Sequence, residues 1–349
     1  MTDRQGVGPR PLLGVVSLGN FLVAQVLGFA SALVAYRFGA GLWIALGVGV
    51  AVALVPLIRV AKHSLLDWVG IGWRYLTGRR YSIGSTVDFR SPSGRSVGLY
   101  WEGTRVVSVI EILPPRGGLT KISTEAFDAT HRLPIAELAE CLTQHDILLS
   151  GIDIISHGFR SRAGTPASTV YEQLIGPLPA TATRTVWLAI MLDTDRSPEA
   201  VQRRGGGTEG ASRAVTVATQ RIVRQLGDAG CRARILTAPE IREAVLQVTE
   251  GTDPRTVKQT WKHALLGEHV NIGSALDPAK LSSELLAKVW APSSRSTTVA
   301  VRLRPGSTPD TVAVGAAWRL TPRSNPEPFA LKNRVSMRGK HRDGLLAHL

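Results

Sequence analysis

Three places in this chain carry residues whose types and spacing suit chemistry. Asp193-Thr194-Asp195 closes the apolar run Arg184–Leu192. A D-x-D pair at the end of a strand offers hard oxygen ligands. Such ligands hold Mg²⁺ or Mn²⁺ and, through the metal, a sugar-nucleotide diphosphate. Strand ends are also where α/β proteins bind ligands. The competing reading is an Asp-rich turn, with Asp195 as a cap. Gly94-Arg95-Ser96-Val97-Gly98 spells G-x-S-x-G, the nucleophile elbow of α/β-hydrolases, which needs a helix after its serine. The residues after Ser96, Val97 to Trp101, read as a strand, so a hairpin turn is expected. Gly205 to Gly210 spells G-x-G-x-x-G and opens a helix. A dinucleotide loop follows its strand at once, whereas Asp193 to Arg204 intervene here. A helix-entry loop is therefore expected. His263, Glu268 and His269 give H-x4-E-H rather than the zinc pattern H-E-x-x-H, and no P-loop occurs. No catalytic, cofactor-binding or metal-binding residue is assigned, and the chain is expected not to be an enzyme.

The elements that would position these residues begin with two apolar stretches. The 26 residues between Arg10 and Arg37 contain no Asp, Glu, Lys or Arg, and the 21 between Arg37 and Arg59 contain none either. Each is long enough to cross a hydrocarbon core of about 30 Å as a helix. A transmembrane hairpin is expected over residues 11–58, with spans at about 12–36 and 42–58. A signal peptide, with an apolar region of about 7–15 residues, is too short to match. Small residues repeat every four along both spans: Ala24, Gly28, Ala32, then Gly41, Ala45, Gly49, Ala53. That spacing puts them on one face, where helices approach closely. The face serves either the packing of the two spans on each other or docking to another protein's helix.

Charge sets the orientation. Arg4 and Arg10 precede the first span, Arg37 alone lies between the spans, and Arg59, Lys62, Arg74, Arg79 and Arg80 follow the second. Positive flanks mark the cytoplasmic side, so residues 1–10 and everything after residue 58 are expected inside. Residues 59–81 mix those cations with Trp68, Trp73 and Tyr75. Such a segment suits the headgroup layer and anionic lipid of the cytoplasmic leaflet. The chain carries a net charge of +14. Its excess beyond residue 80 is spread thinly, without the dense basic runs of a nucleic-acid binder, so nucleic acid is not an expected partner.

Residues 82–320 alternate strands and helices and predict a cytosolic α/β domain, a mixed sheet with packed helices. Strands are expected at Ser85–Arg90, Val97–Trp101, Thr104–Leu113, Ile147–Ile155, Arg184–Leu192, Cys231–Leu236, Val299–Arg304 and Thr311–Leu320. Helices are expected at Pro134–Asp146, Ala211–Ala229, Pro239–Val248 capped by Thr237, and Lys280–Trp290 opened by Asp277-Pro278. Val215, Ala218, Ile222 and Leu226 form an apolar stripe at helical spacing. Cys141 and Cys231 have no C-x-x-C neighbour, and both are expected reduced and structural. Residues 321–349 read as a basic, Pro-containing tail.

The order of these features resembles the EccE family of the mycobacterial type VII (ESX) secretion machines. The similar pieces are Val97-Gly98-Leu99-Tyr100-Trp101-Glu102-Gly103 leading to Val107–Pro114, then Val170-Tyr171-Glu172-Gln173-Leu174-Ile175-Gly176 with Arg184–Leu188, and Ala200–Gly206 entering the next helix. With the double span, the resemblance covers roughly residues 10–240. It implies a non-catalytic subunit of an inner-membrane complex containing EccB, EccD and the ATPase EccC, with no cofactor. The alternative from the residues themselves is a membrane-anchored glycosyltransferase-like enzyme using Asp193 and Asp195.

Overall fold

The structure, a computed structural model, describes residues 18–55, 58–60, 63–64, 68–70, 72–73 and 84–341. Within the last range it omits 92–93, 115–119, 123–126, 130–132, 160–169, 171–172, 175–182, 291, 293, 309–310, 323–333 and 338–340. The expected N-terminal flank, Lys62, Arg74, Tyr75, Arg79 and Arg80, and most of the tail lie outside the described residues. The chain divides into two units, residues 7–80 and 81–349.

The first unit is a helical hairpin. Helix α1 runs Leu18–Arg37 and α2 runs Leu42–Leu54. Gly39, at φ 87°, supplies the left-handed turn between them. The small residues face inward. Ala24 and Ala45 are buried, and a Cβ placed on Gly28 would lie 2.8 Å from Ala53 Cβ and 2.9 Å from the Gly49 carbonyl oxygen. The stripe therefore serves packing within the hairpin. The other faces remain apolar and exposed, with Phe29 at 75% and Trp43 at 83%. Among the described residues no helix is long and apolar enough to cross a membrane. The 13 residues of α2 rise about 20 Å at 1.5 Å per residue.

The second unit is an α/β domain built on one twelve-stranded sheet. Its strands are β1 (Ser85–Arg90), β2 (Ser96–Glu102), β3 (Arg105–Ile112), β4 (Gly151–Phe159), β5 (Thr183–Asp193), β6 (Ala233–Ile235), β7 (Lys258–Gln259), β8 (Ala264–Leu266), β9 (His269–Leu276), β10 (Ser294–Pro305), β11 (Val312–Pro322) and β12 (Arg334–Ser336). The order across the sheet is β7-β8-β9-β11-β10-β4-β5-β3-β2-β1, with β6 beside β3 and β12 beside β9. Every pairing among the described residues of this sheet is antiparallel. Helices among the described residues of this unit include α3 (Ile135–Glu140), α4 (Pro198–Gln202), α5 (Gly207–Asp228), α6 (Ala238–Val248) and α7 (Ser283–Lys288).

Both faces of the sheet centre are covered, which is why β4 is buried at eight successive positions, Gly151 to Gly158. On one face α5 lays Val215, Ala218, Ile222 and Leu226 against Ile110, Ile152, Leu188 and Val301. Each such fully buried side chain contributes about 1.5–3 kcal/mol. On the other face α6 sets Ile241 and Val248 against Ile155, Trp187 and Ala300. Thr237 and Glu240 close a reciprocal capping box at the start of α6. Asp88 of β1 adds a hydrogen bond from the Ala238 N–H, 2.8 Å.

Several expectations are corrected. The helix expected over Pro134–Asp146 ends at Glu140, and Thr143–Gln144 pairs with Ile147–Leu148 around His145 at φ 54°. The strand expected from Ile147 consequently breaks and resumes at Gly151. The helix expected at Lys280–Trp290 is a 3-10 turn, Pro278–Lys280, and then α7 with its own Ser282 cap. β7, β8 and β9 were not expected. They are paired to one another and to β11, and those contacts do not show in local pattern.

Candidate functional site

Asp193 and Asp195 do lie at the end of β5, but the local geometry is a turn. Asp193 Oδ1 accepts from the Asp195 N–H at 3.1 Å, and the Asp193 carbonyl accepts from Arg196 and Ser197. Thr194 is tied to the Thr104 carbonyl through its N–H at 3.0 Å and its hydroxyl at 3.2 Å. The turn leads into α4, where the Ser197 hydroxyl donates to the Leu148 carbonyl at 2.7 Å. Among the described residues, His263, Glu268 and His269 included, no group of three His, Cys, Asp or Glu side chains is placed to hold a metal ion. The double change Asp193→Asn with Asp195→Asn is expected to cost at most about 0.5–2 kcal/mol, the scale of a lost cap. Thermal melting and recovery of the assembled complex check this. A secretion-dead variant that still assembles normally would restore a catalytic role to the pair.

The G-x-S-x-G segment is the end of a hairpin turn, with Gly94 at φ 79°, followed by strand from Ser96. Ser96 opens β2 and is exposed. Gly98 is a packing glycine: a Cβ there would meet the Thr237 carbonyl carbon at 2.4 Å and the Ala238 nitrogen at 2.5 Å. The motif thus lets α6 start against the sheet.

The G-x-G-x-x-G segment joins α4 to α5. Gly205, Gly206 and Gly207 take φ of 106°, 72° and 56°, a course open to glycine alone at low cost. Gly210 packs on α4, where a Cβ would stand 2.3 Å from the Val201 carbonyl oxygen. The arginines around the loop are engaged. Arg204 grips Asp146 with two bonds, 2.6 and 3.1 Å, and the hydrogen bonds and charge of Arg204 hold the Asp146 carboxyl down at about 2. Arg213 pairs with Glu209 and Arg203 with Glu199. Cys141 and Cys231 are free thiols. Burial first, then Glu140, pushes the Cys141 thiol up to about 11, so it is protonated and a poor nucleophile.

The densest polar arrangement escaped sequence reasoning. Arg319 of β11 is 1% exposed. Its Nη2 donates to the Val248 carbonyl at the end of α6, 2.6 Å, and to Thr298 Oγ1, 2.8 Å. Thr298 also bonds His157 Nδ1 at 2.8 Å. Glu250, two residues beyond α6, accepts from Ser296 at 2.6 Å, Arg295 at 2.9 Å and Thr321 at 3.2 Å. Burial opposes ionisation of Glu250, but the Ser296 and Arg295 bonds outweigh it and keep its pKa low. Burial, then the charge of Arg319, pushes His157 down to about 3, so the imidazole is neutral. Burial lowers Arg319 to about 10, which leaves it charged at neutral pH. These groups point inward and bind α6 to three strands. The one sequence signal was a charged residue inside the apolar strand run Ala316-Ala317-Trp318-Arg319-Leu320. An apolar groove of about 460 Å³ lies on the α5 face, lined by Ile135, Leu281, Leu286, Val301, Val312 and Val314 among others.

Among the described residues these motifs assemble no metal cluster, and likeness to known proteins is the further guide. A family model described as "Putative type VII ESX secretion system translocon, EccE" matches residues 180–276, from β5 through β9. The ESX-1 secretion system protein EccE1 of Mycolicibacterium smegmatis is 25% identical over 299 residues, which cover 82% of this chain and 59% of that protein. The chain is similar to EccE proteins over most of its length. The ESX-5 secretion system protein EccE5 of Mycobacterium tuberculosis is 28% identical over 283 residues, 74% of this chain and 68% of that EccE. EccE5 of Mycobacterium marinum is 26% identical over 283 residues, 75% and 68%. The matched part of this chain thus spans about three fifths of the M. smegmatis EccE1. The family match extends past residue 240, where the sequence resemblance ended, and takes in α6 and the unexpected strands β7 to β9.

Proposed function

We propose that this chain is a non-catalytic structural subunit of an inner-membrane type VII (ESX) secretion complex. The observation that carries the reading is the agreement with ESX secretion proteins over most of the chain. A second observation supports membrane placement: the outward faces of α1 and α2 are almost wholly apolar and exposed. A monomer in water rarely leaves so large an apolar surface uncovered. In this reading the hairpin is a two-span anchor, the short loop at Arg37–Gly41 faces the periplasm, and both termini are cytoplasmic. The cations and aromatics of residues 59–81 rest on anionic lipid. The α/β domain then stands in the cytoplasm as a rigid docking body, with EccB, EccC and EccD subunits as partners.

The test is purification of the tagged full-length chain in mild detergent, combined with topology reporters. An ATPase and a multispan subunit should co-purify. A reporter active only in the periplasm should work when fused at Gly41 and stay silent at Leu349. Recovery of the chain alone, with the reporter pattern reversed, would defeat both the subunit and the orientation.

A further inference from the structure

Among the described residues, strand β1 is a terminal strand of the large sheet. Edge strands offer unpaired N–H and C=O groups to any extended chain, and proteins usually blunt them with charged side chains, above all lysine, with proline, a bulge or extreme shortness; the charges on β1 are one of each sign, Asp88 and Arg90. The far end of the sheet is blunted in this way, since β7 is two residues long. β1 is six residues long, pairs with β2 in unbroken register, and contains neither lysine nor proline. Val87 on it is 46% exposed. Arg90 is exposed and has no ion-pair partner among the described residues.

The hydrogen bonds show which backbone groups face outward. Gly98, opposite Asp88, donates its N–H to the Leu236 carbonyl at 2.8 Å, away from β1. The Asp88/Gly98 pair is therefore a non-hydrogen-bonded one, and by alternation Thr86, Asp88 and Arg90 turn their N–H and C=O groups to the open edge. Only registers that oppose these residues to one another satisfy an antiparallel partner. For two copies of β1 this leaves few choices. Asp88 opposite Asp88 sets like charges face to face, which is unfavourable. Asp88 opposite Arg90 sets opposite charges together twice, about a two-fold axis through Phe89. In that register each Asp88/Arg90 pair exchanges both N–H···O bonds. An isologous contact requires this kind of self-complementarity. Asp88 can serve it, because its Oδ1 already holds the Ala238 N–H and its second oxygen carries no hydrogen bond from the described residues.

We propose that β1 pairs antiparallel with the β1 of a second copy of this chain, Asp88 of each facing Arg90 of the other. The test uses the full-length chain in detergent micelles. Light scattering should give a dimer mass. Arg90→Glu, which makes both charge pairs repulsive, should weaken the dimer roughly tenfold or more. A photo-crosslinking side chain at Val87, which is exposed, should yield a self-crosslinked dimer. Phe89→Cys, at the two-fold, should form a reducible dimer, since facing residues of a non-hydrogen-bonded pair lie within disulfide reach. A monomeric mass overturns the proposal. So does a dimer indifferent to Arg90→Glu, or a Val87 crosslink to a different polypeptide.

Discussion

Arg319→Leu should cost the α/β domain about 3–5 kcal/mol, the scale of removing one charge from a buried polar network. The guanidinium is fully buried and joins the Val248 carbonyl to Thr298. Leucine fills much of the space but leaves the Val248 carbonyl without that donor and Glu250 with Arg295 as its remaining cation. For a domain of this size the loss corresponds to a fall in Tm of roughly 6–20 °C. It is also a large share of a typical total stability of about 5–15 kcal/mol. Arg319→Lys should fall between the two, because an ammonium keeps the charge but sits on a shorter stem than the Nη2 that now bonds both acceptors. Adding Glu250→Gln to Arg319→Leu should lower stability further, because it also removes the Glu250–Arg295 pair. Thermal melts of the full-length chain in detergent read all four proteins. A Tm for Arg319→Leu within about 2 °C of the parent, well under the expected fall, would refute the buried role assigned to it.

Gly98→Val should be nearly as damaging, and Ser96→Ala in the same five-residue motif should be silent. The valine Cβ would stand inside contact distance of backbone atoms of Thr237 and Ala238. That backbone is held by the Leu236–Gly98 hydrogen bond, the capping box and Asp88, so it yields only by moving α6. Overpacking of this kind costs about 1–3 kcal/mol for small intrusions, and the loss of the α6 register adds to it. Reduced expression and a lowered unfolding midpoint are expected for Gly98→Val, with Gly98→Ala milder. Ser96 is exposed at the strand start, so its change should stay within about 0.5 kcal/mol and leave complex recovery unaltered. Loss of secretion by Ser96→Ala with normal assembly would show a chemical role for the hydroxyl.

The groups behind these predictions differ in how far the chain alone reveals them. The β1–β2–β3 meander, the α5 stripe and the Thr237-x-x-Glu240 cap are legible in the sequence. Each depends on periodicity or on bonds that reach only a few residues along the chain. The apolar hairpin is legible for the same reason, and so is the inward use of its small residues as one of two options. What the sequence left open was settled by distant partners. Helix α3 stops at Glu140 because the next residues form a tight strand pair, with Asp146 held by Arg204 58 positions later. The sequence already favoured a hairpin turn for G-x-S-x-G and a helix-entry loop for G-x-G-x-x-G; for D-x-D it left a metal pair and a turn open, and the hydrogen bonds show the turn. Arg319 binds α6 across 71 residues, and no window along the chain contains both ends of that contact. Residue type and spacing determine which local structures can form. Antiparallel register and burial, which depend on residues far apart in the chain, decide which polar groups are enclosed and which edge stays open.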